Sequence, residues 1–225
     1  MITADPGAPQ ARILLVCAAN ICRSPAAEVF MQKAWQASVA RSQLNLEFSS
    51  AGAHAVAGMQ RCAVSESLVG LTYETKSQEL PADLGNYDLI LTMERSHRGP
   101  IVVESPSIRS RVFTLVEVAQ LASFIAAPGL VLDAATGIDL GEEVDFDFES
   151  VPALPEQDDQ RWGWFVAELD AWRGQVPLDS QVDTLALVDI PDPHDYQQDV
   201  HQESFDRISQ AVEVFIAALT EVMSR

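Results

Sequence analysis

The feature that most constrains this chain is a buried strand followed at once by a loop that opens a helix. The run Ile13–Val16 is continuously aliphatic, which is typical of a parallel strand buried on both faces. The loop Cys17–Ser24 follows, and Pro25 has the fixed φ that favours the first position of a helix. Backbone N–H groups at a helix N-terminus are unpaired and attract an anion. The pattern therefore predicts an anion-binding loop at the C-terminal end of a buried strand.

Two side chains of this loop can carry chemistry. Cys17 begins the loop, and a helix N-terminus beside a cation favours the thiolate, which is the nucleophilic form of cysteine. Arg23 completes a Cys-x5-Arg spacing. Its planar guanidinium can hold two oxygens of a tetrahedral oxyanion while the sulfur faces the central atom. The spacing indicates a nucleophile set in an anion cradle.

The whole loop resembles the signature of the low-molecular-weight protein tyrosine phosphatases, in their bacterial form. That family reads Cys-x-x-Asn-x-Cys-Arg-Ser-Pro near the N-terminus, and Cys17–Pro25 has every one of these residues. The resemblance covers about 12–121 and 184–225. It implies a phosphatase that hydrolyses phosphomonoesters, most directly protein phosphotyrosine, through a phosphocysteine intermediate.

Apolar runs and amphipathic stretches alternate along the chain, which predicts an α/β protein. Further strands are predicted at 44–48, 87–93, 112–115 and 184–190, and helices at 25–39, 60–71, 116–127 and 201–223. Counted from Ile13–Val16, the first four of these strands, with the helices that follow them, indicate a doubly wound four-stranded parallel sheet with helices on both faces. The resemblance implies that the fold is phosphotyrosine phosphatase I-like.

A long stretch at 129–183 has no counterpart in the family and is predicted to be an acidic, helical insertion within a single domain, 1–225. Its acidic part lies at 142–149. Trp162, Trp164 and Trp172 follow in a pattern that predicts an amphipathic helix ending near Gly174. A structureless loop of this length is unusual, so an ordered excursion is expected. The tryptophans either attach the insertion to the body or form a wall of the site.

A second loop, at the same edge of the predicted sheet, is expected to supply an acid. Asp192 stands between Pro191 and Pro193, which restrict the backbone on both sides. The family has its general acid in an Asp-Pro loop at this point, so the resemblance implies that Asp192 protonates the leaving oxygen and later activates water. Asp189 is the competing carboxylate and is expected to end the strand.

The resemblance also assigns roles around the loop. Backbone amides would bind the phosphate oxygens, and they belong to Ala18, Ala19, Asn20, Ile21, Cys22, Arg23 and Ser24. Asn20 would hold the loop in shape, and Ser24 would donate to the departing thiolate. Ser50 would either hydrogen-bond to Asn20 or be an ordinary turn residue. No metal or cofactor is implied, because the arginine and the amides stabilise the charge.

The remaining cysteines have open assignments. Cys22 would either form a reversible, protective disulfide with Cys17, as in the family, or be a buried structural thiol. Cys62 is predicted to be a half-buried packing residue, since no basic partner is evident for it. His97 is expected at the surface and not as a catalytic base.

The charge and cysteine content of the chain argue against some classes of binding partner. A formal net charge of −19 argues against nucleic acid and anionic membranes. Three cysteines fit a reducing cytosol, and neither a signal peptide nor an apolar run of roughly 20 residues is present. The sequence predicts a cytoplasmic protein that acts on a phosphorylated protein or a small aryl phosphate.

The sequence leaves open how the substrate pocket is walled and which reaction the protein catalyses. Phosphotyrosine phosphatases of the family have an aromatic residue after Ser-Ala-Gly and a tyrosine pair after Asp-Pro, whereas this chain has Ala53–Val56 and only Tyr196 there. An arsenate reductase of the same fold that uses an external thiol is a second hypothesis. A non-catalytic phosphate-binding module, with the insertion as its functional part, is a third.

Overall fold

Four parallel strands form the sheet at the centre of the computed structural model, which describes residues 10–70, 72–127, 151–175, 188–194, 196 and 198–225. The strands are β1 (Gln10–Cys17), β2 (Asn45–Gly52), β3 (Leu89–Thr92) and β4 (Val112–Thr114), in the spatial order β2-β1-β3-β4. All three pairings are parallel. The predicted four-stranded parallel sheet is confirmed.

Six α-helices accompany these strands in the described residues. They are α1 (Arg23–Ala37), α2 (Ala63–Val69), α3 (Arg95–Glu104), α4 (Leu115–Ala126), α5 (Asp158–Ala171) and α6 (Gln198–Ser224). Because successive side chains of a strand point to opposite faces, Ile13 and Leu15 enter the core formed with α1, α4, α5 and α6. Leu14 and Val16 enter a second core formed with α3. Both faces of β1 are therefore covered, as its aliphatic run predicted.

The last predicted strand is not formed where the structure describes it. Residues 184–187 lie outside the described residues, and Val188–Ile190 lie in no strand. The Ile190 N–H donates to the Met93 carbonyl at 2.8 Å, just beyond the end of β3. A single backbone hydrogen bond, and not a strand ladder, thus joins this segment to the sheet.

The predicted helix of the insertion is present as α5, whereas the acidic stretch 142–149 lies outside the described residues. Phe165 and Leu169 are fully buried, and the Phe165 ring lies 6.3 Å from the Phe215 ring of α6. Trp172 packs against Phe124 of α4, with ring centroids 4.9 Å apart. Helix α5 is therefore part of the main core.

Both ends of α5 are held away from the loop that follows β1. Arg161 donates to the Met223 carbonyl at 3.0 Å, near the C-terminal end of α6. Arg173 donates to the Val112 carbonyl at 2.9 Å, at the first residue of β4, and its guanidinium lies 3.8 Å from the centre of the Phe113 ring. Since the strands are parallel, β4 begins at the sheet edge opposite to Cys17. Two roles were predicted for the tryptophans, and these contacts support attachment to the body of the protein.

Replacing Phe165 with leucine is expected to lower the free energy of unfolding by about 1–2 kcal/mol, because it removes part of a fully buried ring. Urea unfolding followed by circular dichroism measures the change. The exposed Ala167 on the same helix provides the control, since Ala167→Gln should leave the midpoint nearly unchanged. Equal effects of the two substitutions would contradict the assignment of α5 to the core.

Candidate active site

The loop between β1 and α1 lies at the C-terminal edge of the sheet. Cys17 is the last residue of β1, Cys22 is the N-cap of α1 and Arg23 is its first residue. Cys17 and Arg23 are 3% and 2% exposed. The strand and the helix therefore place the two residues of the Cys-x5-Arg spacing in one buried region, as the sequence predicted.

Two polar groups lie within hydrogen-bond distance of the Cys17 sulfur. The Asn20 backbone N–H donates to Cys17 Sγ at 3.2 Å, and Ser24 Oγ lies 3.1 Å from the same atom. Asn20 has φ 54°, a left-handed conformation that asparagine tolerates better than most residues. This turn directs the Asn20 N–H toward the sulfur, where it stabilises a thiolate.

The Asn20 side chain organises the loop from within the core. Its Nδ2 donates to Ser24 Oγ at 2.9 Å and to Ser50 Oγ at 3.0 Å, and its Oδ1 accepts from the Gln78 N–H at 2.9 Å. Since Asn20 Nδ2 occupies a lone pair of Ser24 Oγ, the Ser24 hydroxyl proton is directed to Cys17 Sγ or to the Ala51 carbonyl. Of the two alternatives for Ser50, the structure has the hydrogen bond to Asn20.

The end of β2 approaches the loop backbone closely. Ala53 N–H donates to the Cys17 carbonyl at 2.8 Å, and His54 N–H donates to the Ala18 carbonyl at 2.9 Å. A Cβ at Gly52 would lie 2.7 Å from the Ala18 carbonyl oxygen and 2.8 Å from the Ala19 carbonyl carbon, which is closer than real contacts allow. Only glycine fits at this point without moving the loop.

The Gly52→Ala substitution is expected to lower kcat/KM for an aryl phosphate by about 10- to 100-fold, because the added methyl group displaces the loop backbone. Steady-state kinetics measure the loss. Gly99→Ala is the matched control, since a Cβ at Gly99 meets nothing within 4 Å. Equal activity of the two variants would show that the close approach at Gly52 is not needed for the loop geometry.

Arg23 lies between two carboxylates. Its Nη1 donates to Glu94 Oε1 and, at 2.8 Å, to the Ile190 carbonyl, while Nη2 donates to Asp192 Oδ2 at 2.6 Å. The Arg23 side chain is 1% exposed, whereas the Asp192 side chain is 44% exposed. The buried cation is thus paired with two carboxylates, of which Asp192 is the more exposed to solvent.

Glu94 was not predicted as a site residue. It directly precedes α3, just after the C-terminal end of β3. Ligand sites in parallel sheets lie at that edge, so this position was a signal that sequence reasoning could have used. The structure makes Glu94 a partner of Arg23.

The Asp192 loop is anchored at several points. Asp189 accepts from the Arg95 backbone N–H and guanidinium at 2.8 and 2.9 Å, and Ser204 Oγ donates to the Pro191 carbonyl at 3.0 Å. The His194 N–H donates to Asp192 Oδ1 at 3.1 Å. Asp189 thus binds Arg95 at the start of α3, while Asp192 is directed at Arg23.

A small cavity brings the predicted residues together. It has a volume of about 20 Å³ and is lined by Cys17, Ala19, Ile21, Cys22, Arg23, Asp192 and His194. Such a volume is on the scale of a single water molecule. In this arrangement the Asp192 carboxylate occupies Arg23 Nη2, a donor that a bound oxyanion would use.

Cys22 lies beside two groups that sequence reasoning did not connect with it. Burial and the neighbouring Cys62 raise the pKa of the Cys22 thiol well above its usual range. His194 Nδ1 lies 3.9 Å from Cys22 Sγ, and His201 Nε2 lies 3.5 Å from Cys62 Sγ. Cys62 is half-buried as predicted, but the expectation that it lacks a basic partner is wrong, because α6 brings His201 from a distant part of the chain.

His97 is also placed differently from the prediction. It is 4% exposed, so the expectation of a surface residue is wrong. It lies on the side of α3 that faces the protein, and burial lowers the pKa of its imidazole. Burying a neutral imidazole costs less free energy than burying a charged one, so the neutral form suits this buried position.

Comparisons with known proteins place these residues in context. The family model described as low molecular weight phosphotyrosine protein phosphatase matches residues 12–124. The Wzb and Etp low-molecular-weight protein-tyrosine-phosphatases of Escherichia coli K12 are 35% and 31% identical over 103 and 104 residues, which is 44% of this chain in each case. The matched regions span 66% and 65% of those relatives.

Solved structures share the fold. Wzb from Escherichia coli K30, in complex with phosphate, is 16% identical with a TM-score of 0.53, covering 92% of this chain and 97% of that chain. The YwlE arginine phosphatase from Geobacillus stearothermophilus is 19% identical with a TM-score of 0.55, covering 93% and 92%. No helix in the described part of the chain is long and apolar enough to cross a membrane.

Proposed function

Because the chain belongs to the low-molecular-weight phosphotyrosine protein phosphatase family, we propose that it hydrolyses protein phosphotyrosine through a phosphocysteine intermediate. One observation carries the proposal. The Cys17 sulfur, the Arg23 guanidinium and the Asp192 carboxylate line one cavity at the C-terminal edge of the sheet. These are the nucleophile, the oxyanion ligand and the acid that phosphoryl transfer through cysteine requires.

In the first step the Cys17 thiolate attacks phosphorus, and the bond from phosphorus to the leaving oxygen breaks. The Asn20 N–H and the Ser24 hydroxyl stabilise the thiolate before attack. Arg23 and the loop amides, from Ala18 to Ser24, hold the equatorial oxygens as charge spreads over them. A donor in such an oxyanion site contributes on the order of 3 kcal/mol to the transition state.

Asp192 has two tasks in sequence. The substrate phosphate replaces it on Arg23, and this exchange leaves the carboxyl group beside the leaving oxygen, to which it gives a proton. In the second step Asp192 takes a proton from water, which attacks the phosphocysteine and releases inorganic phosphate. The Cys17 thiolate is regenerated, with Ser24 donating to it.

The cavity walls favour an aryl ester. Ala19 and Ile21 present aliphatic carbon to the substrate, which suits an aromatic ring. Tyr196, the retained aromatic of the second stretch, is 67% exposed and lies outside the cavity lining. Among the described residues, none that lines the cavity is Phe, Tyr or Trp.

The domain arrangement and the setting form part of the same proposal. We assign residues 1–225 to one phosphatase domain with an insertion at 129–183, of which α5 is joined to the core. The protein acts in the cytoplasm on phosphorylated proteins, needs no cofactor and binds neither nucleic acid nor membrane. The strongly acidic charge supports this choice of partners.

The test is to trap the intermediate and compare substrates. The Asp192→Ala variant is mixed with an aryl phosphate, quenched in acid and digested, and the Cys17 peptide is expected to carry one phosphoryl group. Wild-type protein should release phosphate faster from phosphotyrosine peptides than from phosphoarginine or phosphoserine peptides of the same sequence. Absence of the phosphocysteine together with arsenate-dependent consumption of an added thiol would identify an arsenate reductase. Absence of both activities would identify a binding module.

A further inference from the structure

Two thiols and an imidazole meet beside the phosphate loop. We call Cys22, Cys62 and His201 the thiol–imidazole cluster. Their ligand atoms, the two Sγ atoms and His201 Nε2, all lie within 4.8 Å of one another. The mechanism proposed above uses none of these three side chains. The cluster is therefore a separate chemical feature of the molecule.

Three elements, far apart in sequence, build the cluster. Cys22 is the N-cap of α1, Cys62 is the N-cap of α2 and His201 lies in the first turn of α6. Cys22 and His201 are 4% and 3% exposed, and Cys62 is half-buried. The Cys62 N–H also donates to the Ile21 carbonyl at 3.1 Å, which fixes the start of α2 against the loop. The three groups are therefore held together by the fold itself.

The donor set selects a class of metal ion. Thiolate sulfur and imidazole nitrogen suit Zn²⁺ and similar borderline or soft ions, whereas Ca²⁺ and Mg²⁺ require oxygen. Tetrahedral Zn²⁺ with bonds of about 2.3 Å to sulfur and about 2.0 Å to nitrogen places its ligand atoms roughly 3.5 Å apart. The distance from Cys62 Sγ to His201 Nε2 is 3.5 Å. We propose that the thiol–imidazole cluster is a Zn²⁺ site, with water as the fourth ligand.

The charge balance suits a buried position. As Zn²⁺ binds, the two thiols release their protons to solvent, and His201 Nε2 supplies a lone pair without losing a proton. The bound ion and two thiolates sum to zero charge, so the cluster stays neutral. The N-terminus of α1 at Cys22 favours sulfur that carries negative charge. A bound Zn²⁺ would link α1, α2 and α6 at the edge of the sheet where the loop after β1 lies.

The experiment uses the Cys17→Ser protein, so that the nucleophile cannot supply sulfur to the metal. Titration with Co²⁺, a spectroscopic substitute for Zn²⁺, is expected to give thiolate-to-cobalt charge-transfer bands that saturate at one ion per chain. Adding Cys62→Ser or His201→Gln should weaken Zn²⁺ binding by at least about 100-fold, as loss of a ligand requires. His54→Gln, an exposed histidine outside the cluster, is the matched control and should change nothing.

A second measurement needs only the Cys17→Ser protein. Zn²⁺ should raise its Tm and slow alkylation of both Cys22 and Cys62, as mapped by mass spectrometry. Absence of a charge-transfer band, or a band unchanged by Cys62→Ser, would overturn the proposal. So would a disulfide between Cys22 and Cys62 that, once reduced, leaves thiols whose alkylation Zn²⁺ does not slow. None of these readouts depends on phosphatase activity, so the proposed function can fail without affecting this test.

Discussion

The Cys17→Ser substitution is expected to lower kcat/KM for an aryl phosphate by at least about 10⁴-fold, because a serine hydroxyl in this position is neither ionised nor as nucleophilic as a thiolate. The Asn20 N–H and Ser24 stabilise the sulfur anion, and a neutral hydroxyl draws little benefit from either. Rates are measured with p-nitrophenyl phosphate and a phosphotyrosine peptide. The loss should lie in kcat, since Arg23 and the loop amides remain to bind phosphate.

Phosphate binding and an equivalent cysteine provide the controls. Inorganic phosphate should protect Cys17→Ser against thermal unfolding about as well as it protects the wild-type protein. Cys62→Ser removes a thiol of similar size that lies outside the cavity lining, so it should retain most of the turnover. Wild-type turnover no faster than that of Cys17→Ser would end the phosphatase proposal.

The Asp192→Ala substitution is expected to lower kcat by roughly 10²- to 10⁴-fold, which is the usual contribution of a general acid. The loss should be larger for phenyl phosphate than for p-nitrophenyl phosphate, because nitrophenolate leaves readily without a proton. At the same time inorganic phosphate should bind more tightly, because Asp192 no longer competes for the Arg23 guanidinium, which it contacts at 2.6 Å. Initial rates and phosphate inhibition constants measure the two effects.

Asp192→Asn separates the acid from the ion pair. Asparagine keeps the size of the side chain but has neither the proton nor the charge, so it should behave like alanine in kcat and in phosphate inhibition. Asp189→Asn alters the neighbouring carboxylate, which binds Arg95 and not Arg23, and should preserve the leaving-group dependence of the wild type. Equal losses for both phenyl esters in the Asp192 variants would contradict the acid role and leave only a role in closing the cavity.

The ion pair between Asp192 and Arg23 also bears on how the site opens. Asp192 Oδ2 accepts from Arg23 Nη2 at 2.6 Å, where an oxyanion would bind, and the Asp192 side chain is the more exposed member of the pair. Arg23 is held from the other side by Glu94 and by the Ile190 carbonyl. Moving the Asp192 carboxylate therefore breaks fewer contacts than moving Arg23. Arg23 stays in place and binds the substrate phosphate.

Local sequence patterns were sufficient to predict the strands and helices that depend on a few neighbouring residues. The aliphatic run before Cys17 marked β1, Pro25 marked the start of α1, and the spacing of Trp162 and Trp172 marked α5. The same reasoning failed for Val188–Ile190, the described end of the last predicted strand, which forms no strand and contacts the end of β3 through a hydrogen bond to Met93. Apolar character predicts burial, and only neighbouring backbone decides whether a buried segment pairs as a strand.

Several contacts between residues far apart in sequence were not predicted. Glu94 reaches Arg23 from the end of β3, and His201 reaches Cys62 from α6, across 139 positions of sequence. His97 faces the protein because α3 turns that side inward. These contacts depend on how the helices pack on the sheet. The spacing of residues within a single segment does not predict that packing.

The sequence by itself determined the strand, loop and helix around Cys17, and the presence there of Arg23, Asn20 and Ser24, because helix and strand preferences act over a few residues. The tertiary structure alone decided that Asp192 closes on Arg23, that the tryptophan helix packs away from the site, and that three helix ends bring two thiols and an imidazole together. These outcomes follow from parallel strands that place their C-terminal ends at one edge, where distant segments must meet.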